Sequence, residues 1–591
     1  MKYWIKALTL SVYLTCLLVF AAAASKPDEK NNIVLILIDD LSHYGMATYG
    51  SNTIRLINSP NNNITFETPN IDALAREGVR FEHVYSHPLC ENTRVALMSG
   101  KQNNRNYLTP KSLHRSDITF SDVFSRAGYV TGMFGKWKQT RGTTEITGED
   151  YIAEFAWDEY TAFDVVTEGQ RFINPNLVKD GRVLNYNHRT DNDPATQRRW
   201  YAPDIFNRQA LAFIDKNKEQ PFFLYYPMAL VHDDHKPTPD TLPKSIFDNF
   251  DEAPHNRDGH RGDDPQYIGE MIEYTDKMIG RIINKLNQHN LRENTLVIVM
   301  SDNGTKQIFE HILPDGSVYP GGKGSNADNG IHVGMVFNQP GTIDPKLNHG
   351  SYSDLVYVTD IFPTMADAVG VNIPKEAQLD GQSFWPRLMG QKAQPRQHIY
   401  SWYIGNAMYD APINPNKSEF AFNQSYKYYA PSTAFPDGRF FDLKQDLFEQ
   451  QGERYIELKF GVRRYSGLPI ASLNKEQHQA YIYFAKVIAD NQIIPIKKIQ
   501  ILAPKTTLQL GEQVDLDARL VPENTTRNGV IWHSSDPSIV SVNKFGEISA
   551  LRPGKASIHL YSWDDARPLA DAHSASFLKT GVQDKIDIWV K

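Results

Sequence analysis

The chain of 591 residues is too long for one hydrophobic core, and its length predicts several domains. Its formal net charge of −7 is spread over both signs with no basic block, which argues against nucleic acid as a partner. With only two cysteines, a disulfide framework is excluded as the basis of the fold.

The first 24 residues predict a secretory signal peptide. Lys2 and Lys6 precede an apolar run at residues 7–20, and small residues at 21–25 provide a cleavage site. The run is short for a spanning helix, and no later segment has the roughly 18 consecutive apolar residues that a membrane span needs. We therefore expect an exported protein, periplasmic or secreted, without a transmembrane segment.

Four apolar β-rich runs, each followed at once by polar residues, organise the chain up to about residue 390. They lie at residues 33–38, 130–134, 222–226 and 296–300. Helical patterns separate them, including one at residues 267–290. Such alternation predicts an α/β fold with a mostly parallel sheet covered by helices on both faces. Ligands bind beyond the carboxyl ends of the strands in these sheets, so the polar residues there indicate an enzyme.

Two polar pairs follow two of these strands. Asp39 and Asp40 follow the first strand, and Asp302 and Asn303 follow the fourth. An aspartate after a strand commonly forms a helix cap or a turn. Two pairs at the ends of two strands in one sheet instead predict a metal site, and oxygen ligands alone favour Ca²⁺ or Mg²⁺ over zinc.

Cys90 would be the single cysteine left after removal of the leader, which contains Cys16. It precedes residues 95–98, which are typical of the first turns of a buried helix. A helix N-terminus favours a thiolate or a bound anion, and Arg94 adds a cation nearby. The alternative is that Cys90 is a small buried hydrophobic residue.

Together these motifs resemble those of the type I sulfatases, which have an alkaline-phosphatase-like fold. The matching stretches, in the family's order, are residues 39–41, 68–81, 90–101, 135–137, 301–304, 322–324, 358–364 and 379–384. The resemblance implies hydrolysis of sulfate esters, with a sulfated polysaccharide or its oligosaccharides as substrate.

By the same resemblance, a maturation enzyme would convert Cys90 to formylglycine (3-oxoalanine), whose hydrate attacks sulfur. The implied ligands of a divalent cation, Ca²⁺ with Mg²⁺ as the alternative, are Asp39, Asp40, Cys90, Asp302 and Asn303. The implied catalytic residues are Cys90, Arg94, Lys136, His232 and Lys323. We assign Lys138, His235 and His332 to substrate binding.

Two positions depart from the family's pattern. The maturation signal is Cys-any-Pro-Ser-Arg, or Ala in place of Pro, whereas residues 90–94 are Cys-Glu-Asn-Thr-Arg, so Asn92 lacks the fixed φ of proline. Lys138 stands where many members carry histidine, and lysine is a poorer acid–base near neutral pH. Asn92 keeps open the alternative of a catalytically inactive sulfoglycan-binding protein. A phosphoesterase on the same scaffold is a second alternative, because sulfate and phosphate are similar tetrahedral anions.

The pattern changes after residue 390. Residues 426–429 and 439–443 predict antiparallel strands, and a helix at about 475–491 closes this part. From residue 495, short β runs divided by turn signals predict a β-sandwich of roughly 100 residues, similar to the bacterial immunoglobulin-like group 2 domain. Its expected role is a spacer or a contact with carbohydrate or the cell surface. The predicted division is 1–24, 25–390, 391–494 and 495–591.

Overall fold

The computed structural model describes most of the chain after the predicted leader. The described residues are 30–106, 113, 116–139, 151–163, 171–186, 189–250, 262–347, 349–404, 417–432, 435–455, 464–526, 529–562 and 582–591. The predicted signal peptide and Cys16 lie outside them. Among the helices described, none combines the length and the apolar composition that a membrane crossing requires.

A large, mostly parallel sheet forms the centre of the molecule. Its four central strands are β1 (Asn32–Ile38), β2 (Val130–Lys136), β3 (Phe222–Pro227) and β4 (Thr295–Ser301). They lie side by side in the order β4, β1, β3, β2 and are parallel to one another. The neighbouring strands on the β4 side are Met335–Asn338, Val79–Phe81 and Ser351–Tyr352, and those on the β2 side are Glu159–Phe163, Asn176–Lys179 and Arg182–Asn185. The predicted parallel α/β sheet is confirmed.

The apolar sequence of β1 explains why the sheet is covered on both faces. Successive side chains of a strand point to opposite faces. The odd-numbered apolar residues of β1 pack into one hydrophobic cluster and the even-numbered ones into another, and all are fully buried. Each buried aliphatic side chain stabilises the fold by about 1.5–3 kcal/mol, so burial on both faces fixes β1 at the centre.

Helices supply the two covering layers. One face is covered by α1 (Cys90–Ser99), α2 (Phe120–Arg126) and the helix Ile361–Ala368. The other face is covered by Pro69–Arg76, Ala202–Asn217 and Ile268–Gln288, the last of which was predicted at residues 267–290. Shorter helices in the described residues are Asn103–Asn106, Ser245–Asp248, Asp328–Ile331 and Trp385–Leu388.

Two small sheets flank the large one. One consists of Val318–Pro320, Phe309–Ile312, Thr53–Leu56 and Asn63–Thr65, and the other of His332–Val333, Val84–Tyr85 and Val356–Tyr357. The second of these adjoins the end of β1, because Ser42, just after β1, pairs with Val333.

An antiparallel sheet follows the large one in the chain, as predicted. Its strands are β5 (Ile399–Ile404), Lys417–Phe422, Tyr426–Tyr429 and Arg439–Asp442. The helix Lys475–Asp490 begins at Asn474, whose side chain accepts a hydrogen bond from the Gln477 amide, and packs its apolar face on this sheet. A two-residue pair, Arg454–Tyr455 with Arg464–Tyr465, lies beside it.

The C-terminal part is all β. Its strands are Lys498–Leu502, Thr507–Leu508, Gln513–Asp515, Asp517–Val521, Val530–Ser534, Val540–Val542, Glu547–Ala550, Gly554–Ser562 and Gln583–Val590. The chain changes sheets at the buried Leu516, so Gln513–Asp515 and Asp517–Val521 belong to different sheets.

The C-terminal sandwich is docked on helix α2 through Lys544. Its ammonium lies 2.9 Å from the Asp122 carboxylate and donates to the carbonyl oxygens of Asp117 (3.1 Å) and Glu154 (2.7 Å). The same ammonium lies 4.9 Å from the centre of the Phe155 ring. The side chain is only 13% exposed, so these contacts anchor the sandwich to the α/β part.

We predict that Lys544→Gln loosens this docking. Charged hydrogen bonds contribute about 1.5–3 kcal/mol each, so limited proteolysis in residues 491–497, which connect the two parts, should become roughly tenfold faster. Lys505→Gln is the matched control, because Lys505 pairs with Glu512 within the sandwich and both are solvent-accessible. Its cleavage rate should change by less than about twofold. Equal rates in the two variants would refute the anchoring role.

Candidate active site

The acidic residues predicted from the sequence meet at the carboxyl ends of β1 and β4. Ile38 lies opposite Ser301 in the parallel register, so the residues that follow both strands adjoin. Carboxylate oxygens of Asp39, Asp40 and Asp302 lie within 4.8 Å of one another, and all three residues are buried. We call these three residues the acid cluster.

Hydrogen bonds hold the acid cluster in place. The backbone amide of Asp40 donates to the Asp302 carboxylate at 3.0 Å, with Asp40 in a left-handed backbone conformation (φ 59°). The side-chain amide of Asn303 donates to the Asp40 carboxylate at 2.8 Å. The predicted pairs therefore form one interlinked group.

Three cations surround the acid cluster. Arg94 on helix α1 contacts Asp302 through Nη2 at 2.9 Å and Nε at 3.2 Å, and its Nη1 donates to the Lys136 carbonyl oxygen at 2.9 Å. Lys136, at the end of β2, donates to Asp39 at 2.6 Å. Lys323 donates to Asp40. Arg94 and Lys136 are fully buried and Lys323 is partly buried, so each of the three acids has a cation beside it.

The loop that carries Lys323 is tied to the end of β4. The Lys323 amide donates to the Thr305 carbonyl oxygen at 3.0 Å. Gly304 permits the close approach of a neighbouring segment, because a Cβ there would lie 2.1 Å from the Asn329 carbonyl oxygen. The glycine of the motif at 301–304 therefore has a packing role beside the site.

The carboxyl groups of the acid cluster differ in their pKa values. Burial tends to raise the pKa of Asp39, but the charges of Lys136, His232 and Arg94 hold it well below its ordinary value. Burial and the adjacent Asp39 charge instead raise the pKa of Asp302 to about 8, despite its contact with Arg94. An added positive charge would therefore favour full ionisation of the cluster.

The donor set fits a hard divalent cation. Asp39 Oδ1 and Asn303 Oδ1 are buried and have no hydrogen-bond partner among the described residues, although Asp39 Oδ1 lies 3.5 Å from Arg94 Nη2. Unpartnered buried oxygens beside two further carboxylates are the ligands that Ca²⁺ and Mg²⁺ prefer. These residues could hold such a cation without rearrangement of the strands.

Cys90 is the first residue of α1 and lies beside the acid cluster. Its Sγ, one carboxylate oxygen of Asp39 and one ring nitrogen of His232 lie within 4.8 Å of one another. Burial raises the pKa of the thiol to about 11, although Lys136 partly offsets this effect. The expectation that the helix N-terminus favours a thiolate is therefore wrong for the unmodified residue, because desolvation outweighs the nearby positive charges.

His232 follows β3 and faces the acid cluster. Its Nε2 lies 2.9 Å from the Lys323 ammonium and 3.4 Å from the Asp40 carboxylate, while its Nδ1 contacts Asp233. Burial, and then the positive charge of Arg171, lowers its pKa to about 4. With the ring neutral, Nε2 accepts from the Lys323 ammonium and Nδ1 donates to the backbone carbonyl oxygen of Asp233.

The three residues predicted to bind the substrate, Lys138, His235 and His332, have different surroundings. Lys138 is partly buried, and its charge lowers the pKa of Cys90. His235 bonds to Asp263 at 2.8 Å through Nδ1, and His332 contacts the Glu82 carbonyl oxygen at 2.8 Å. These partners of His235 and His332 lie outside the acid cluster, so their assignment to substrate binding stays a prediction.

Four further residues belong to the site but were not predicted. Asp233 orients His232, and Lys306 bridges Asp233 (2.9 Å) and Asp263 (3.3 Å). Arg171 acts electrostatically on both Asp39 and His232. Thr93 donates to the Asp302 carbonyl oxygen at 2.8 Å. Asp233 had a sequence signal because it directly follows His232, and Thr93 had one because it lies within residues 90–94, which resemble the maturation signal.

Comparison with protein families identifies the α/β part. The sulfatase family model matches residues 31–371, which is more than half of the chain. The chain belongs to the sulfatase family. The model of the bacterial Ig-like domain (group 2) matches residues 495–566. Both resemblances inferred from the sequence are confirmed, and the family is one of sulfuric ester hydrolases.

Individual relatives agree with this assignment. An arylsulfatase of Hemicentrotus pulcherrimus is 28% identical over 403 residues, covering 65% of this chain and 66% of the relative. An N-acetylgalactosamine-6-O-sulfatase of Bacteroides thetaiotaomicron is 25% identical, covering 64% and 80%. The structure of Ps i-CgsB in complex with k-i-k-neocarrahexaose has a TM-score of 0.52 at 22% identity, covering 72% and 88%. This chain thus spans about two thirds to nine tenths of these proteins.

Asn92, the unusual residue of this sulfatase, is buried in the first turn of α1. Its side-chain amide donates to the Ile404 carbonyl oxygen of β5 at 3.4 Å, and its Oδ1 has no hydrogen-bond partner in the part of the chain that the structure describes. Amide groups in the first turn of a helix have no intrahelical partner, so a proline at this position would be compatible with the helix. What asparagine adds is a direct link between the helix that carries Cys90 and the antiparallel sheet.

We predict that Arg94→Gln destabilises the sulfatase strongly. It would leave buried carboxylates without their partner, and breaking a buried ion pair costs about 3–5 kcal/mol, so the melting temperature should fall by about 5 °C or more. Arg80→Gln is the control, because the Arg80–Glu82 pair is partly exposed and contributes about 1 kcal/mol or less. A similar melting temperature for both variants would contradict the buried network.

Proposed function

We propose that this sulfatase is an exported enzyme that hydrolyses sulfate esters of a carbohydrate, using formylglycine formed from Cys90 and a bound divalent cation. The observation that carries the proposal is the position of Cys90. It starts a buried helix within 4.8 Å of both a carboxylate of the acid cluster and the ring of His232. A nucleophile, an oxygen-rich cation site and a proton-handling pair therefore share one volume.

The nucleophile would be formylglycine at position 90 rather than the cysteine thiol. Its hydrated aldehyde would supply two hydroxyl groups on one carbon, one to attack sulfur and one to allow sulfate to leave. Burial keeps the unmodified thiol neutral, which argues against direct thiolate attack. Arg94 fixes the helix turn that carries residue 90, since it lies one turn further along α1 and is held by Asp302.

A cation at the acid cluster would be held by Asp39, Asp40, Asp302 and Asn303. Oxygen ligands alone favour Ca²⁺, with Mg²⁺ as the alternative. When bound, it supplies positive charge that offsets charge developing on sulfate oxygens. Lys136 and Lys323 already contact Asp39 and Asp40, so both ammonium groups lie where a sulfate group would need them.

The His232–Lys323 pair would handle the proton of the leaving alcohol. Lys323 Nζ donates to His232 Nε2 at 2.9 Å, and Asp233 holds the opposite ring nitrogen. A sugar alkoxide is a poor leaving group, so protonation by a group in this pair would speed the reaction by about 10²–10⁴-fold.

A carbohydrate substrate is supported by the relatives. One is an N-acetylgalactosamine-6-O-sulfatase, and a protein of the same fold was solved with k-i-k-neocarrahexaose. The predicted signal peptide would place this sulfatase where polysaccharides occur, periplasmic or secreted. Its partners would be a sulfated glycan and the formylglycine-generating enzyme, and the Ig-like domain offers a further surface for glycan or cell-surface contact.

We predict that the peptide containing Cys90, from protein made in its native host, has the mass of formylglycine or its hydrate. Such protein should hydrolyse 4-nitrophenyl sulfate in clear preference to 4-nitrophenyl phosphate, and Cys90→Ala should remove this activity. An unmodified thiol in active protein would overturn the proposed mechanism. An unmodified thiol with glycan binding but no turnover would instead favour the binding-protein alternative, and a preference for phosphate would favour the phosphoesterase.

We predict that Ca²⁺ stabilises the protein through the acid cluster. A ligand at a hundredfold excess over its Kd adds about 2.7 kcal/mol to the free energy of unfolding, measurable as an increase in the melting temperature. Asp302→Asn should abolish the increase. Asp328→Asn should retain it, because Asp328 is a buried carboxylate that bonds to Tyr319 outside the acid cluster. Equal increases in both variants would mean that the cation binds elsewhere.

A further inference from the structure

A cavity of about 180 Å³ lies between the α/β part and the C-terminal sandwich, and we call it the interdomain cavity. Its wall on the α/β side includes Lys101, Ile118 and Gln378, and its wall on the sandwich side includes Val530 and Trp532. This volume is well above the ~30 Å³ that a water molecule occupies in the liquid, and below the roughly 300 Å³ at which pockets for drug-sized ligands begin. The interdomain cavity therefore suits a ligand of one ring rather than an extended chain.

Contacts across the boundary hold the two walls together. The Lys375 ammonium lies 2.7 Å from the Asp517 carboxylate, and Arg105 Nε donates to the Thr526 carbonyl oxygen. Lys375 and Asp517 both line the interdomain cavity, and their side chains are 72% and 51% exposed. The cavity therefore reaches solvent at these residues, and a ligand can enter while the sandwich stays docked.

Lys101 brings a cation without an ion pair to the interdomain cavity. It is 6% exposed, and its ammonium forms no ion pair or hydrogen bond with a described residue. Burial lowers its pKa, although Asp117 and Asp380 attract it, and Arg105 repels it. Asp380 is itself paired with Arg105. A sulfate or carboxylate group in the cavity would supply the partner that this ammonium lacks.

The other charged groups of the interdomain cavity are already engaged. Lys375 pairs with Asp517 and lies 3.9 Å from the Glu376 carboxylate. Lys544 pairs with Asp122 at 2.9 Å. Among the described lysines that line the cavity, Lys101 is thus the one left for an anionic ligand.

Trp532 offers a flat apolar surface and a hydrogen-bond donor on the sandwich wall. The ring is half-buried and packs close to Gly546, where a Cβ would lie 3.0 Å from two indole carbons. Its N–H has no hydrogen-bond partner among the residues that the structure describes. The C–H face of a sugar ring can stack on an aromatic ring, and a sugar hydroxyl can accept from an indole N–H. The pairing of Trp532 with Lys101 therefore matches a sugar that carries an acidic group.

The interdomain cavity is separate from the candidate active site. Cys90 is the first of the ten residues of α1, and Lys101 follows the last of them by two positions. At 1.5 Å per residue, the two ends of this helix are about 15 Å apart. A ligand in the cavity would therefore leave the surroundings of Cys90 free.

We propose that the interdomain cavity binds one acidic sugar residue of a glycan, at a distance from the active site. Lys101 contacts the sulfate or carboxylate group of this residue, and Trp532 contacts its ring and one hydroxyl group. The docked sandwich then gives the enzyme a second contact with an acidic polysaccharide. This assigns the Ig-like domain a binding role, for which a spacer would need neither residue.

The test observes Trp532 directly by ¹⁹F NMR. The full-length protein with Cys90→Ala, which cannot form the proposed nucleophile, is labelled with 5-fluorotryptophan, and Trp532→Phe and Trp589→Phe assign two signals. The titrants are glucose 6-sulfate, glucuronic acid, glucose and inorganic sulfate. We expect one or both acidic sugars to shift the Trp532 signal saturably, with a Kd at least about tenfold lower than that of glucose. The signal of Trp589, which is 51% exposed and lies outside the cavity, should not move.

Three variants control this experiment. Lys101→Gln should raise the Kd of the acidic sugars at least about tenfold. Gln378→Glu adds a negative charge to the cavity wall without removing a buried group, so it should weaken binding of the acidic sugars but not of glucose. This second variant keeps the test valid if Lys101→Gln does not fold. Lys505→Gln, on the sandwich outside the cavity, should change the Kd by less than about twofold.

The titrants separate the parts of the inference. The acidic sugar with the lower Kd identifies the bound group as sulfate or carboxylate. No saturable shift with either acidic sugar, or an unchanged Kd in Lys101→Gln and Gln378→Glu, would overturn the site. An equally low Kd for glucose would refute the role of Lys101, and one for inorganic sulfate would refute the sugar. Since binding is measured without turnover, these outcomes do not depend on the proposed sulfatase activity.

Discussion

The parallel register of β1 and β4 is the constraint on which the rest of the site depends. With Ile38 opposite Ser301, the acidic residues that follow both strands must occupy one small buried volume. Removing three carboxylates from water is unfavourable unless cations accompany them. Arg94 comes from a helix, Lys136 from the end of a third strand and Lys323 from a loop. The sheet and these cations therefore stabilise one another.

Burial also decides the chemistry available at residue 90. A helix N-terminus and nearby lysines favour a thiolate, but the desolvated Cys90 thiol has its pKa raised to about 11. The same desolvation raises the pKa of Asp302 to about 8 while Asp39 stays ionised beside Lys136. The same buried environment therefore favours the neutral form of Asp302 and the ionised form of Asp39. An additional cation would change the protonation of Asp302 most.

The antiparallel sheet is in direct contact with helix α1 of the α/β part. Asn92, which replaces the proline of the maturation signal, bonds to the last residue of β5. That contact ties the helix of Cys90 to the antiparallel sheet. The Ig-like domain is separately held against helix α2 by the partly buried Lys544. Each of these contacts joins parts of the chain that are distant in sequence.

The sequence by itself determined the parallel sheet, its covering helices and the carboxylates at its edge, because continuous apolar strands must be buried on both faces and their polar ends must then meet. The family resemblance singled out His232 over His235 and His332, but the position of His232 beside the Asp40 carboxylate, while His235 pairs with Asp263 and His332 with Asp328, is decided by the fold. Arg171 carries no local pattern. Its charge acts on Asp39 and His232, which are distant from it in sequence, so tertiary packing alone decides its effect.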